Sequence, residues 1–106
     1  MDLTENIYRL TYTFPGHQQF GLSSQLQRAA ISVPSSIAEG NTRDSLRDYA
    51  RFISIARGSV AEAETQLLIA QRLNFGDQEL VIRCKSDASR IGRMLNRLHA
   101  ALKRKL

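Results

Sequence analysis

The chain has 106 residues, a mass of 11.9 kDa and a formal charge of +5, from 15 lysines and arginines against 10 acidic residues. This length suits one compact core, so we predict a single domain over residues 1–106 and exclude a two-domain enzyme. One cysteine excludes an internal disulfide. Because no apolar run approaches the roughly 18 residues of a membrane span and no stretch resembles an export signal, we expect a cytoplasmic protein with no membrane partner.

The first predicted helix is short. Leu3, Ile7 and Leu10 share one helical face and indicate a helix over residues 3–13. Asp2 and Glu5 have the spacing of a capping box at its start. A Phe-Pro-Gly sequence at residues 14–16 ends it.

The second predicted helix begins near Leu22 and reaches Glu39 and Gly40. Its apolar stripe includes Leu26, Val33 and Ile37, and Ser24 with Gln27 is a plausible capping box. Pro34 lies inside this helix and removes a backbone donor, so it predicts a kink or a restart near Ser32.

Two long helices follow. The third begins after Ser45, with Asp48 as its capping partner, and runs for about 29 residues, or about 43 Å at 1.5 Å per residue. Its apolar residues alternate in steps of three and four and form a heptad seam at Leu46, Tyr49, Ile53, Ala56, Val60, Ala63, Leu67 and Ala70. Gly76 ends it and Asp77 can cap the fourth helix, which has a similar seam at Val81, Cys84, Ala88, Ile91, Leu95, Leu98 and Leu102.

Four helices with short connections predict an all-α, up-down-up-down four-helix bundle with a short first helix. A first helix of about 11 residues covers less than half of a partner of about 43 Å. Part of the seam is then expected to face solvent, and exposed apolar patches of that size usually mark an interface. We therefore predict a homo-oligomer.

Residues that could support catalysis are few and scattered. His17 and His99 have no second histidine, cysteine or carboxylate at metal-ligand spacing. Cys84 occupies a seam position, where a free cysteine behaves as a small hydrophobic residue. Glu62 and Glu64 are two residues apart on a helix, so their carboxylates point to different sides. We expect no catalytic residues, no metal, no cofactor and no enzyme activity.

Positive charge is concentrated at the end of the chain. Residues 1–79 carry seven arginines against nine acids, about −2, whereas residues 80–106 carry eight basic residues against one acid, about +7. Four of these arginines recur every seven residues and a fifth lies on the same side; we call the five the basic row: Arg83, Arg90, Arg93, Arg97 and Arg104. With almost no acidic partner, such a face creates a positive potential that suits RNA or DNA backbones.

Other interpretations of the basic row stay open. It can be a solvated outer face that complements the negative end of the helix dipole. It can also dock an acidic protein, in which case the chain is an interaction scaffold that binds no nucleic acid. A membrane-surface helix is less favoured, because the apolar side lacks Trp and Phe anchors. Residues 43–51 mix charges at three- and four-residue spacing, which indicates a solvated surface with weak ion pairs.

Several strings together resemble one known family. They are Tyr8-Arg9-Leu10-Thr11, Phe14-Pro15, Phe20-Gly21-Leu22-x-x-Gln25-Leu26-x-Arg28-Ala29-Ala30-x-Ser32-Val33-Pro34, Ile37-Ala38-Glu39-Gly40 and Gly58-Ser59-x-x-Glu62-x-Glu64-Thr65-Gln66-Leu67. With them, the chain resembles the four-helix-bundle family named for proteins encoded in the intervening sequences of bacterial 23S ribosomal RNA genes. The resemblance covers nearly the whole chain, from Ile7 to Leu102.

The resemblance implies a cytoplasmic, all-helical protein that assembles as a homopentameric barrel. A relative accompanies the reverse transcriptase of diversity-generating retroelements and binds that enzyme and nucleic acid through a positively charged surface. The partners that the resemblance implies are therefore further copies of the chain, RNA or DNA, and a larger nucleic-acid enzyme such as a reverse transcriptase. For most members of the family no biochemical activity is established.

The residues matched to the family are expected to have structural or oligomer-contact roles. Pro34 would set the bend of the second helix, and Gly40 would allow a left-handed C-terminal cap after Glu39. Gly58 and Ser59 would let another helix approach the middle of the third. Gln25, Arg28 and Glu39 are polar residues near the apolar stripe, and we expect them to pair within or between subunits. Glu62 is a further matched residue with an expected structural or oligomer-contact role.

The chain departs from the family pattern in two places. It lacks the aromatic-rich start of the first helix, so that start is expected to be truncated or assigned late. Gln18 stands where an acidic residue is common, so an ion pair that such a residue makes elsewhere is not expected here.

Overall fold

The structure is a computed structural model that describes residues 2–16 and 21–106, so His17 and Gln18 lie outside the described residues. The described residues form four helices and no strand, as predicted: α1 (Asp2–Tyr12), α2 (Leu22–Asn41), α3 (Leu46–Arg72) and α4 (Gln78–Arg104). Each helix packs against two others, because α1 and α3 both contact α2 and α4. Within these described ranges, no helix combines the length and the apolarity that a membrane crossing needs.

The heptad seam of α3 lies at the centre of the bundle. Six of its eight predicted positions, from Ile53 to Ala70, are at most 1% exposed, while Tyr49 is half-buried and Leu46 is 43% exposed. Part of the seam does face solvent, as expected, but only at its first turn, where Leu46 lies; the long uncovered stretch expected beyond a short first helix is not found. The 20 residues of α2 and the 27 residues of α4 cover α3 along its length, so a short α1 does not uncover it.

The short α1 is held to the start of α4 by side chains from the loops at their ends. The Phe14 and Phe75 rings pack at a tilt with centroids 6.1 Å apart, and the backbone N–H of Asp77 donates to Thr13 Oγ1 at 2.8 Å. Gly76 has φ of +73°, and a Cβ there would lie 2.7 Å from the Phe14 ring. A larger residue at this position is excluded both by backbone conformation and by space.

A buried carboxylate connects the middle of α1 to α4. Asp87 is 7% exposed; its Oδ2 accepts from Asn6 Nδ2 at 2.9 Å and its Oδ1 accepts from Arg90 Nη2 at 2.8 Å. Asn6 is itself buried, so water cannot replace the hydrogen bond between the Asn6 amide and the Asp87 carboxylate. This contact fixes the register of α1 on α4.

The caps of the two long helices are confirmed. Ser45 Oγ accepts from the backbone N–H of Asp48 at 3.0 Å, and Asp77 Oδ1 accepts from those of Glu79 and Leu80. The caps predicted for the two earlier helices are wrong. Asp2 already lies inside α1, and α2 begins after Gly21 with no side-chain cap, so Ser24 lies within the helix.

Some of the matched residues of α2 and α3 differ from expectation. The α2 helix continues through Pro34, so it does not restart at Ser32. Gly40 lies inside α2 and is not among the positive-φ glycines, so it forms no left-handed cap; an added Cβ would lie 3.0 Å from Phe52 Cβ and from the Tyr49 ring. Gly40 thus serves close packing against α3. Gly58 has open space around it, and no other helix of the described residues lies within 4 Å of where a Cβ would stand.

Removal of the Asp87 carboxylate tests the connection between α1 and α4. Asp87→Ala should lower the free energy of unfolding by about 2 kcal/mol, because it leaves the buried Asn6 amide without its acceptor. Chemical denaturation measures this change. The control, Arg90→Ala, removes only the exposed partner and should cost less than about 1 kcal/mol. Equal losses in the two variants would contradict a role for Asp87 in holding α1.

Candidate nucleic-acid interface

All five arginines of the basic row are exposed on α4. The buried positions of this helix, among them Val81, Ala88 and Leu95, lie on its other side. Arginines seven residues apart are about 10.5 Å apart along the axis, so the row from Arg83 to Arg104 extends about 31 Å. A straight helix turns about 20° short of two full turns per heptad, so the row slants slightly around α4.

The members of the basic row differ in how free their charges are. Arg90 forms an ion pair with Asp87, which reduces its charge toward other partners. Arg93 donates to Ser89 Oγ at 2.8 Å and keeps its charge. Within residues 2–16 and 21–106, the remaining three have neither an ion pair nor a side-chain hydrogen bond: Arg83, Arg97 and Arg104. The expectation of a face with almost no acidic partner is therefore wrong for Arg90.

Sequence reasoning did not find the partner of Arg90. Asp87 is the one acidic residue of positions 80–106, and in the charge distribution along the sequence it counts only as one negative charge. Its position three residues before Arg90 and one before the buried Ala88 was the available signal, since residues three apart on a helix are neighbours. Its burial depends on Asn6, which is 81 residues away in the chain.

A second polar cluster joins α3 to α4. Arg57 donates to Asn96 Oδ1 at 2.8 Å and contacts His99 Nδ1 at 3.0 Å. Desolvation at this contact, with the positive charges of Arg57 and Lys103, lowers the pKa of His99 below its usual 6.5. A neutral imidazole can accept the hydrogen bond from Arg57, so this cluster has a structural explanation.

Cys84 is buried in the core of the bundle. Burial and the nearby negative charge of Asp87 raise the pKa of its thiol to about 12, and the positive charge of Arg83 opposes this rise only in part. Because the thiolate is the reactive form, the position is chemically protected.

The structure brings four of the predicted structural residues together in a groove between α2 and α3. The groove holds about 490 Å³ and is lined by Gln25, Arg28, Ala29, Ser32, Ser59 and Glu62. Ser59 donates to Ser32 Oγ at 2.8 Å, so this residue of α3 lies where α2 approaches. Gln25 accepts from Gln66 at 3.4 Å. Glu39 lies elsewhere and forms an exposed ion pair with Arg43 at 3.4 Å.

The surface between α2 and α3 also has the mixed charges that we predicted for residues 43–51. Besides the Glu39 pair, Arg51 and Asp48 lie 4.0 Å apart and both are exposed. The guanidinium groups of Arg43 and Arg51 lie 4.7 and 4.6 Å from the Phe52 ring centroid. Such exposed pairs contribute little to stability, which confirms a solvated surface with weak ion pairs.

The family model described as 23S rRNA-intervening sequence protein matches residues 1–97. The chain belongs to this family. A comparison with curated proteins gave no match. Four of the five arginines of the basic row, and all the residues of the α2–α3 groove, lie within the part matched to the 23S rRNA-intervening sequence family, while Arg104 lies beyond it.

The buried thiol can be tested by labelling. Native protein at pH 8 should react with an aromatic disulfide reagent much more slowly than the same protein in denaturant, because burial and the raised pKa of Cys84 both suppress the thiolate. Absorbance of the released thiol measures the rate. Since Cys84 is the single cysteine, unfolded protein serves as its own control, and comparable rates in the two states would contradict the burial.

The His99 contact predicts a pH dependence. A lowered pKa means that His99 in the folded protein binds fewer protons than in the unfolded chain. The resulting contribution to the free energy of unfolding is complete above pH 6.5 and is lost as the pH falls below that value. The Tm should therefore fall between pH 7.5 and 5.5 in a buffer of constant ionic strength. His99→Gln should flatten this difference. A slope that His99→Gln does not alter would remove His99 as its cause.

Proposed function

We propose that this 23S rRNA-intervening sequence protein is a non-enzymatic, homo-oligomeric helical bundle that binds RNA or DNA backbone through the basic row of α4. The observation that carries the proposal is a line of exposed arginines about 31 Å long, of which all but Arg90 have no acidic partner in the described part of the chain. Guanidinium groups suit phosphate because they donate in a planar fork and stay charged at any physiological pH.

The arrangement supports contacts with the backbone rather than with bases. The row lies along one side of a helix that is packed into the bundle, and its arginines share that side with few other polar groups able to distinguish bases. Phosphate contacts of this kind give affinity with little sequence preference. Binding of this type is strongly weakened by salt.

Assembly would strengthen this weak surface. One copy offers four arginines of the basic row without an ion pair among the described residues, and two or more copies held together would offer several such rows to one polymer. The family resemblance favours a homopentamer, in which five rows act together. Once one row is bound, the other rows are held at a high effective concentration near the same polymer, so the assembly binds more tightly than one row does alone.

Binding to structured RNA at different salt concentrations tests the function. The wild-type protein should bind at 50 mM salt and weaken steeply toward 200 mM, because released counterions drive the association. The double variant Arg83→Glu/Arg97→Glu should bind at least about tenfold more weakly, and the slope of log affinity against log salt should fall by about 1.4–1.8 for two lost phosphate contacts. Fluorescence anisotropy measures both quantities.

The matched control changes the same charge elsewhere on the bundle. Arg47→Glu/Arg72→Glu alters two exposed arginines of α3 and should keep affinity within about threefold, because long-range charge effects are screened beyond about 8–10 Å. An equal loss in the two double variants would show that net charge, and not the basic row, is responsible. No binding by the wild type at 50 mM salt would reject nucleic acid and favour the scaffold that docks an acidic protein.

A further inference from the structure

We propose that the outer side of α1, with Tyr8 and Tyr12, is a stacking site for the unpaired bases of single-stranded RNA or DNA. The inference rests on the proposed function, because it names the form of nucleic acid that the basic row would hold. The tyrosines would contact the faces of bases, while the arginines of α4 contact phosphates.

The two tyrosines of α1 differ from the other aromatic side chains in their exposure. Tyr12 is 91% exposed and Tyr8 is 39% exposed. The remaining aromatic side chains of the described residues are buried or half-buried: Phe14, Tyr49, Phe52 and Phe75. Single exposed apolar side chains are ordinary, but residues four apart on a helix are neighbours, so these two rings form one platform.

A cavity of about 500 Å³ lies against both rings. Its other lining residues are Thr11 on α1 and Gln27 on α2. Clefts that bind small molecules have volumes of about 300–1,000 Å³. The cavity therefore has room for a base beside the platform.

The polar group in this cavity is held in place by α1. Gln27 Nε2 donates to Thr11 Oγ1 at 2.9 Å, and Thr11 Oγ1 donates to the backbone carbonyl of Tyr8 at 3.1 Å. The Thr11 hydroxyl uses its hydrogen on that carbonyl, so it can only accept from the Gln27 amide. Gln27 Oε1 accepts no hydrogen bond from the described residues, so it is available to the edge of a stacked base.

A chain of polar contacts connects the platform to the basic row. Arg9, which follows Tyr8, donates to Asn6 Oδ1 at 3.5 Å. Asn6 in turn donates to Asp87, which accepts from Arg90. Arg9 is exposed and has no ion pair within the described residues, so it places a further positive charge between the tyrosines and α4.

The two surfaces together favour a single strand over a duplex. The α4 helix has no aromatic residue, so the basic row by itself offers no surface for stacking. Packed helices have axes about 8–10 Å apart, so a strand along the start of the row is within reach of α1. A duplex keeps its bases paired and stacked inside, whereas a single strand can turn them out onto aromatic rings. Proteins that bind single strands without sequence preference combine basic grooves with such rings.

Oligonucleotides with and without bases test the stacking site. A single strand of about ten nucleotides and the same strand built from abasic nucleotides have equal charge, so they differ in stacking alone. Tyr8→Leu/Tyr12→Leu should bind the strand with bases at least about fivefold more weakly at low salt, because it removes base–aromatic stacking. Its affinity for the abasic strand and for a duplex of the same length should stay within about twofold of wild type. Fluorescence anisotropy measures all three.

The matched control keeps both rings. Tyr8→Phe/Tyr12→Phe should bind all three ligands like the wild type, because phenylalanine stacks as tyrosine does. Leucine retains apolar character at the same positions, so the comparison isolates the aromatic ring. Circular dichroism confirms that each variant is folded.

Tyrosine emission gives a readout that leaves the two rings unchanged. The chain has no tryptophan and three tyrosines, so Tyr49→Phe leaves Tyr8 and Tyr12 as its emitting residues. A base stacked on a tyrosine ring quenches its emission, so the strand with bases should quench it and the abasic strand should not. Quenching should be similar for RNA and DNA strands, because stacking does not use the 2′-hydroxyl.

The outcomes separate the two proposals. A loss of affinity confined to the strand with bases, and absent in the phenylalanine variant, supports the stacking site. A wild type that binds strands with and without bases equally, with no quenching, overturns the stacking site and leaves backbone binding by the basic row intact. A wild type that binds none of the three ligands at low salt overturns the proposed function, and the stacking site with it.

Discussion

The architecture depends on the need to cover one long apolar seam. An α3 helix of 27 residues with apolar side chains on one side is unstable alone in water, because isolated helices draw little stability from propensity. Packing by α2 and α4 buries the seam from Ile53 to Ala70 almost completely. The short α1, with 11 residues against the 27 of α3, occupies less than half of the fourth position of the bundle.

Because the apolar demand is met inside the chain, polar groups determine how the outer elements are placed. Asp87 and Asn6 set where α1 lies along α4, and Thr13 with Gly76 and Phe14 closes the end of the bundle. The same Asp87 is the partner of Arg90, so one carboxylate acts both in folding and on the basic row.

Local sequence signals predicted the features whose partners are close in the chain. Ser45 and Asp77 were identified as caps because the backbone donors that they satisfy lie within three residues. The heptad seam was identified because its period is a property of one helix. The predicted cap at Ser24 failed because helix entry at Gly21 was not visible in the local pattern. Gly40 was assigned to a helix end, whereas its absent side chain makes room for Phe52 and Tyr49 of another helix.

The sequence by itself determined the all-α class, the approximate limits of the four helices, the seam, the basic row and the family. These properties follow from periodicity, from local capping and from the distribution of charge along the chain. Only the tertiary structure decided which apolar positions are covered, which arginine is neutralised and which polar residues share a groove. Those outcomes depend on pairs such as Asn6 with Asp87 and Ser32 with Ser59, which are 81 and 27 residues apart. Such contacts arise from how the helices pack, and no local pattern specifies them.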